Sequence, residues 1–348
     1  MKTIELNGTS FQIGWEHGVQ GKKEVHRSLE TYEQLFKGYA SLSWQEAKEK
    51  ALLHLDAIEA YRPNYLEEME GIARGAGVEF EDILTLNTRS EIALTNSPDG
   101  CTSLAITEPR SSTTWLAQNW DWKGEQTDSL LFLKIKQQNK PNIEMVTEGG
   151  IIGKIGCNDA GVGVCLNALM TRTCEPKVPI HLGLRAILDS FTFDEALSAV
   201  SHNQMASPAH FLIASREKKI ISVEVSPIYT AQIKPENGVL IHTNHICAPA
   251  MQKVVVDKPH DDSYHRLKAI DKLISSLSSD VRASDIFSLL ADHDNYPDSI
   301  CRHENPTKLS HEKMETVFSI VMDLTSNEIA LILGNPCLSK EVLTTIKC

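Results

Sequence analysis

The sequence predicts an α+β fold of four layers, in the order helix, sheet, sheet, helix. Two observations predict this class. Helical patterns dominate the chain before Asp99, whereas β-branched and aromatic strand patterns dominate after Cys101, and the later helices fall in blocks of their own. Long strand blocks with separate helix blocks favour packed sheets covered by helices over alternating strand and helix units.

The segment before Asp99 is predicted to be helical. Ser43 and Glu46 have the spacing of a capping box, apolar residues follow at helical spacing, and Pro63 is predicted to mark the end of this helix. A second helix is predicted over 65–73, ahead of two glycines at 75 and 77.

The segment after Cys101 is predicted to form most of the sheets. Strands are predicted over 102–107, 114–121, 130–136, 143–148, 210–215, 220–226 and 239–243, with a final hairpin over 316–333. Helices are predicted over 181–189, from a capping box at 192, over 264–276 and over 284–291.

The acidic composition of the chain disfavours some classes of binding partner. The 348 residues contain 34 Lys and Arg against 46 Asp and Glu, a net charge of −12, which disfavours nucleic acid and anionic membranes. The N-terminus has no apolar signal segment, and no apolar stretch approaches the roughly 18 residues of a membrane span. We therefore expect a cytoplasmic protein. Its eight cysteines include no CxxC pair and are expected to be mostly reduced and buried.

The strongest candidate for chemistry is Cys101, which follows Gly100 in the run Asp99-Gly100-Cys101-Thr102-Ser103. Gly100 leaves its carbonyl unshielded and can adopt backbone angles closed to other residues, so we expect a strained peptide bond that the Cys101 thiolate attacks. Hydrolysis of the resulting thioester would leave Cys101 as a new N-terminus. Its α-amine, with a pKa of about 7.7–8.0, would serve as base for its own thiol. The alternative is a buried structural thiol.

Five further segments carry a family resemblance: 14–18, 86–91, 115–122, 242–245 and 294–302. Together with Gly100-Cys101 they resemble the acyl-coenzyme A:6-aminopenicillanate acyltransferase family, the isopenicillin N acyltransferases, which are N-terminal-nucleophile hydrolases. The resemblance extends from residue 8 to about residue 336. Length alone would allow two or three domains. The resemblance instead implies one αββα sandwich over 1–348, cut into an α chain, 1–100, and a β chain, 101–348.

The resemblance implies catalytic roles for Cys101, Asp121, Asn244 and Arg302. Asn244 is expected to donate a hydrogen bond to the oxyanion, and its alternative is a turn-forming asparagine at the end of a strand. Asp121 and Arg302 are expected to form a charged pair near the nucleophile, and their alternative is a structural salt bridge.

Three hydroxyl residues are supporting candidates. Thr102 and Ser103 are expected to orient the amine of Cys101, unless they are ordinary strand hydroxyls. Ser226 matches a serine that the family needs, although Ser before Pro commonly begins a turn. His242 and His245 suggest zinc, but no third ligand cluster accompanies them in sequence, so we predict no metal and no resident cofactor. Trp120 and Trp122 are expected either to line an acyl pocket or to belong to the core.

The resemblance implies an enzyme that passes an acyl group from an acyl-CoA or an amide, through a Cys101 thioester, to an amine of the 6-aminopenicillanate type or to water. Acyl-CoA is then a substrate. The expected partners are the small-molecule acyl donor, the amine acceptor and the α chain. Two alternatives remain open: an amidohydrolase of small N-acyl or β-alanyl amides, and an unprocessed binding protein. The final residues, 345–348, lack the peroxisomal tripeptide of the fungal penicillin enzymes.

Overall fold

The computed structural model describes residues 1–93, 100–171, 173–278, 280–309, 312–338 and 342–345. Asp99, in the predicted turn before Gly100, and the last three residues of the chain lie outside these ranges. No helix in the described ranges has both the length and the apolar character needed to cross a membrane.

The helices have these bounds: α1 Ser10–Gln20, α2 Lys22–Ala40, α3 Trp44–Leu52, α4 Leu55–Tyr61, α5 Pro63–Ala76, α6 Phe80–Asn87, α7 Arg89–Ala93, α8 Ile180–Leu188, α9 Phe193–Ser198, α10 Pro249–Gln252, α11 Asp261–Ser275 and α12 Ala283–Leu290. The strands have these bounds: β1 Lys2–Gly8, β2 Gly100–Ile106, β3 Trp115–Trp122, β4 Leu130–Gln137, β5 Ile143–Glu148, β6 Ile155–Asn158, β7 Val162–Ala168, β8 Ala209–Ser215, β9 Ile220–Val225, β10 Thr230–Ile233, β11 Val239–His242, β12 Glu315–Asp323, β13 Glu328–Leu333 and β14 Leu343–Thr345.

These strands form two sheets packed face to face. One sheet has the order β1-β4-β5-β6-β7-β8-β9-β10 and the other the order β11-β2-β3-β12-β13-β14. Strands β2 and β3 pack against β7 of the first sheet. Helices α2, α8 and α9 cover the outer face of the first sheet, and α11 and α12 cover the outer face of the second. The predicted α+β order of helix, sheet, sheet and helix is confirmed.

Strand β2 shows how alternation builds this sandwich. Leu104 and Ile106 belong to the apolar core beneath α11 and α12, whereas Cys101 and Ala105 belong to the core between the sheets. Successive side chains of a strand point to opposite faces, so the sequence of β2 supplies both cores at once. The Cys101 thiol therefore faces the interior of the sandwich.

The prediction of helices alone before Asp99 was wrong at its start. Residues Lys2–Gly8 form strand β1, which pairs in parallel with β4 at the edge of the larger sheet. Ile4 and Leu6 are buried while their neighbours are exposed, a period of two that only a strand produces. The N-terminal segment is thus joined to the sheet by backbone hydrogen bonds.

The predicted helix from Ser43 to Pro63 is also corrected. Ser43 and Glu46 do form the capping box of α3, but the helix breaks at Leu53 and resumes as α4. Pro63 begins α5 and does not end a helix. Proline is tolerated in the first turn because the N–H that it lacks has no partner within the helix there.

Helices α1 and α5 cross at glycines. A Cβ atom added to Gly18 would lie 2.7 Å from the backbone nitrogen of Ala76, and one added to Gly71 would lie 2.7 Å from that of Trp15. Backbone therefore packs directly on backbone at this crossing. The segment Gly14-Trp15-Glu16-His17-Gly18 therefore has a packing role, and His17 adds an acceptor for the N–H of Gly150 at 3.1 Å.

We expect Gly18→Ala to lower the free energy of unfolding by about 1–3 kcal/mol, because the added methyl group meets rigid backbone. The matched control is Gly38→Ala, at an exposed position of α2, where the same change is expected to be neutral or to add up to about 1 kcal/mol. Denaturant titration followed by circular dichroism measures both. Equal unfolding midpoints in the two variants would contradict the close crossing.

Candidate active site

The candidate nucleophile lies where a strand extends beyond its neighbour. Strand β11 pairs with β2 up to His242, which is opposite Ser103. Continuing this antiparallel register by two residues sets Asn244 opposite Cys101. Here a side chain replaces the backbone partner: Asn244 Oδ1 accepts a hydrogen bond from the backbone N–H of Cys101 at 2.7 Å.

Arg266 of α11 holds the other side of the same residue. Its Nη1 donates to the backbone carbonyl of Cys101 at 2.6 Å and to Thr102 Oγ1 at 3.1 Å. Its Nη2 donates to Asn244 Oδ1 at 3.0 Å. The backbone of Cys101 is thus fixed at its N–H and at its carbonyl by two buried side chains. Sequence reasoning missed Arg266, because an arginine in an amphipathic helix is usually a solvated residue.

The contacts determine how the Asn244 amide is turned. Its Oδ1 receives two donors, and its Nδ2 donates to the carbonyl of Ala168 at 3.0 Å. The reverse orientation would set the NH₂ group against both donors, so the hydrogen-bond network excludes it. Asn244 presents an acceptor to Cys101 here. Its predicted role as an oxyanion donor would require Nδ2 to leave Ala168, and it stays a prediction.

Asp121 and Arg302 form the expected charged pair. Asp121 lies opposite Gly100 in the register of β2 and β3. Its carboxylate accepts from Thr316 Oγ1 at 2.7 Å, and its Oδ2 lies 3.4 Å from Arg302 Nε. Both side chains are buried. The expected charged pair is present, and its catalytic role stays a prediction.

Gly100 lies directly beside Arg302. A Cβ atom at Gly100 would lie 2.7 Å from Arg302 Nε and 3.1 Å from its Cζ. The glycine lets the guanidinium lie directly against the peptide that precedes Cys101.

Asp262 links the two arginines. Its Oδ2 accepts from Arg266 Nε at 3.0 Å and also pairs with Arg302 Nη2. Burial alone would raise the pKa of Asp262, but the two guanidinium groups outweigh it and lower the pKa from 3.8 to about 2. Burial would lower the pKa of Arg302, and Asp262, Asp121 and Asp298 reverse this and raise it. Asp262 and Arg302 are therefore both ionised at neutral pH.

The three supporting hydroxyls have different surroundings. Thr102 Oγ1 accepts from Arg266, so Thr102 belongs to the site. Ser103 Oγ donates to Asn167 Oδ1 at 2.6 Å, inside the sandwich. Ser226 Oγ accepts from the N–H of Tyr229 at 2.9 Å and donates to the carbonyl of the same residue at 2.7 Å. Within the described part of the chain, the hydrogen bonds of the Ser226 side chain are confined to the turn after β9. This matches the alternative that Ser226 begins a turn.

The histidines of the 242–245 segment are occupied by protein atoms. The two rings are 6.5 Å apart. His242 Nε2 donates to Glu224 at 2.9 Å, and its Nδ1 donates to the carbonyl of Thr243 at 2.8 Å. Burial would lower the pKa of His242, but Cys247 and Glu224 raise it to about 10, so the ring is an imidazolium. The His242 ring stacks on the ring of His210, with 3.5 Å between the ring centres. Burial and the charge of His242 together lower the pKa of His210.

A second buried charge cluster lies behind the nucleophile. Trp120 is opposite Cys101 in the ladder, and Lys154 Nζ lies 3.5 Å from the centre of its ring. Lys154 pairs with Glu148, which also accepts from Tyr32 Oη at 2.6 Å. Burial would raise the pKa of Glu148, but Lys154 and Arg89 lower it to about 2. The sequence offered no assignment for Lys154.

Cys101 is closed off in this continuous chain. Only 1% of its surface is exposed, and Trp120 and Trp122 are core residues. The described cavities of about 400–730 Å³ are lined by residues elsewhere in the fold. The hydrogen-bond partners of Cys101 are therefore in place, while its side chain is buried.

Two facing sheets between helical layers, with a thiol at the first residues of an inner strand, define the architecture of an N-terminal-nucleophile hydrolase. A solved variant of conjugated bile acid hydrolase from Clostridium perfringens has this fold. It aligns with a TM-score of 0.51 and 14% identity over 71% of this chain and 92% of its own. Penicillin V acylase from Agrobacterium tumefaciens aligns with a TM-score of 0.45 and 13% identity over 70% of this chain and 85% of its own.

The sequence comparisons identify the family. Residues 108–337 match the family described as acyl-coenzyme A:6-aminopenicillanic acid acyl-transferase. The acyl-coenzyme A:6-aminopenicillanic-acid-acyltransferase 40 kDa form of Emericella nidulans is 35% identical over 97% of this chain and 93% of its own length. The chain belongs to this acyltransferase family and is an enzyme of the acyltransferase and amidohydrolase class.

We expect Asp262→Asn to destabilise the protein by about 3–5 kcal/mol, because it leaves two buried arginines without the carboxylate between them. The control is Asp261→Asn, at the exposed neighbouring position, with an expected change within about 0.5 kcal/mol. Denaturant titration at neutral pH measures both variants.

The ion pairs of Asp262 with Arg266 and Arg302 should make stability depend on pH. The pKa of Asp262 is lower in the folded protein than its ordinary value, so its stabilising effect is complete above about pH 4 and is lost as pH falls to about 2. The stability difference between wild type and Asp262→Asn should shrink across that interval. A difference that stays constant down to pH 2 would contradict the pairing.

Proposed function

We propose that the chain cuts itself between Gly100 and Cys101 and that Cys101 then carries acyl groups as a thioester. The observation that carries the proposal is that side chains bind the backbone of Cys101 at both its N–H and its carbonyl. Its backbone nitrogen is bound by Asn244 and its carbonyl by Arg266. A residue whose backbone is held on both sides in a dry interior is fixed beside the bond to be cut, and such positioning is a large part of what an intramolecular reaction requires.

The cut proceeds in two steps. The Cys101 sulfur bonds to the carbonyl carbon of Gly100, the C–N bond between the two residues breaks, and the thiol proton passes to the departing amine. Water then attacks the thioester, which gives the carboxylate of Gly100 and regenerates the thiol. Arg302 lies against Gly100, and its positive charge is available to the carboxylate that forms.

The processed site needs no further residue as base. The new α-amine of Cys101 occupies the position of the former peptide nitrogen, where Asn244 Oδ1 accepts one of its hydrogens. This hydrogen bond orients the amine. The amine takes the thiol proton as the sulfur attacks the acyl carbonyl, and it returns the proton to the leaving group.

The named relative supports the substrate class. We propose an acyl-CoA as donor and an amine of the 6-aminopenicillanic acid type as acceptor, as in the name of the Emericella nidulans protein. Release of the acyl group to water is the competing outcome of the same thioester and gives an amidohydrolase. The two activities differ only in the nucleophile that reaches the acyl-enzyme.

We propose that residues 1–100 stay bound after the cut as a separate chain. Strand β1 adds to β4 over seven residue pairs. His17 also accepts from Gly150, across the proposed division. These contacts do not involve the bond that is cut.

Intact mass under denaturing conditions tests the cut. Wild type is expected to separate into fragments that end at Gly100 and begin at Cys101, and Cys101→Ala is expected to remain whole. The matched control is Cys165→Ala, a buried cysteine on β7, which should be cut as wild type is. A wild type that stays whole under native conditions would favour the unprocessed binding protein.

Acyl transfer is tested on the cut protein. With an acyl-CoA and 6-aminopenicillanic acid, we expect CoA release, an N-acylated product and a transient acyl adduct on the peptide that begins at Cys101. CoA release at an unchanged rate without the amine, and free acid as the sole product, would assign hydrolysis. No adduct and no release with a range of acyl-CoA and amide donors would contradict the acyl-enzyme.

A further inference from the structure

Four side chains from separate parts of the chain converge next to the loop that carries Arg302. They are His293, Cys301, His303 and Cys337, and their ligand atoms all lie within 4.8 Å of one another. His293 follows α12, Cys301 and His303 lie on either side of Arg302, and Cys337 follows β13. We infer that this cluster is a structural zinc site with two thiolate and two imidazole ligands.

The distances fit one tetrahedral ion. The two Nε2 atoms are 3.1 Å apart, and the two Sγ atoms are 3.5 Å apart. His303 Nε2 lies 3.6 Å from Cys301 Sγ and 3.4 Å from Cys337 Sγ. Zinc bonds of about 2.3 Å to sulfur and about 2.0–2.1 Å to nitrogen at tetrahedral angles imply edges of about 3.3 Å between two nitrogens, about 3.8 Å between two sulfurs and about 3.6 Å between a nitrogen and a sulfur.

Hydrogen bonding alone explains this arrangement poorly. His303 Nε2 faces three polar atoms at once, but an imidazole nitrogen carries either one proton or one lone pair. A cation at the centre satisfies all four ligand atoms together. Two thiolates balance the charge of Zn²⁺, so the site is neutral, and two thiol protons are released to solvent when the metal binds.

The surroundings supply a further ligand contact and an entry path. Asn335 Nδ2 points at Cys301 Sγ at 3.7 Å and donates to the carbonyl of Arg302 at 2.6 Å. Such N–H contacts to a coordinating sulfur are a usual part of metal sites. Cys301 is buried, whereas His293 and Cys337 are exposed, so the metal can enter from solvent.

The site would fix Arg302. Alternation along the chain sends Cys301 and His303 to the metal and the Arg302 side chain the other way, towards Asp121 and Asp262. Four protein ligands fill a tetrahedral ion, which leaves no open position for catalysis. The zinc is therefore a positioning device for the loop, and it is independent of whether the chain cuts itself.

The test is metal content of the full chain purified without chelators. Elemental analysis against protein sulfur is expected to give about one zinc per chain in wild type and about none in Cys337→Ser. The matched controls, Cys174→Ser and His202→Asn, change exposed residues outside the cluster and are expected to keep the metal. Zinc retained by Cys337→Ser, or absent from the wild type after added zinc, would overturn the site.

Cobalt substitution keeps the inference falsifiable if Cys337→Ser fails to fold. Chelator-treated wild type titrated with Co²⁺ is expected to show tetrahedral visible bands and thiolate-to-cobalt charge transfer. Cys337→His should bind Co²⁺ with about half of that charge transfer, since one of two thiolates remains. Absence of these bands in wild type, or a wild-type peptide pair joined by a disulfide between Cys301 and Cys337, would contradict a zinc site.

Discussion

The fold depends on one constraint at its centre: strand β2 begins three residues beyond the end of its neighbour β11, so that Cys101 lies two residues past the last pair. At Cys101 the sheet can no longer supply a backbone partner on that side, and buried backbone groups without partners are costly. Asn244 and Arg266 supply the missing hydrogen bonds from side chains. A continuous ladder would have bound Cys101 through backbone alone, whereas this arrangement surrounds its nitrogen with side-chain groups that could also bind the amine that the proposed cut would release.

Holding Cys101 in this way requires charge in the interior, and the charge is balanced locally. Arg266 would be costly to bury alone, and Asp262 compensates it while also binding Arg302. Arg302 in turn reaches Asp121, directly across the ladder from Gly100. The network connects the two sides of the Gly100–Cys101 bond. Removing one charged side chain from it would take an ion-pair partner away from a buried group of opposite charge.

The sequence predicted the outer pattern of the fold better than its centre. Capping boxes and alternating strands are local signals, and they placed α3, β2, β3 and the final hairpin. Strands β6 and β7 were missed because Gly156 and Gly163 weaken their strand pattern. Gly163 is needed for sheet packing, since a Cβ there would lie 2.9 Å from Leu324. Arg266 and the four residues of the proposed zinc site were missed because only tertiary packing brings residues so distant in sequence together, with no short motif to mark them.

The neighbourhood of Cys101 also tunes the amine that the proposed cut would release. A peptide nitrogen has no basic lone pair, so the intact chain cannot use it to deprotonate the thiol. Once the bond is broken, the nitrogen titrates near pH 7.7–8.0 in an unperturbed chain, and burial disfavours its charged form. The guanidinium of Arg266, bound to the same oxygen of Asn244, acts in the same direction. Both effects would favour the neutral amine, which is the form that accepts a proton from the thiol.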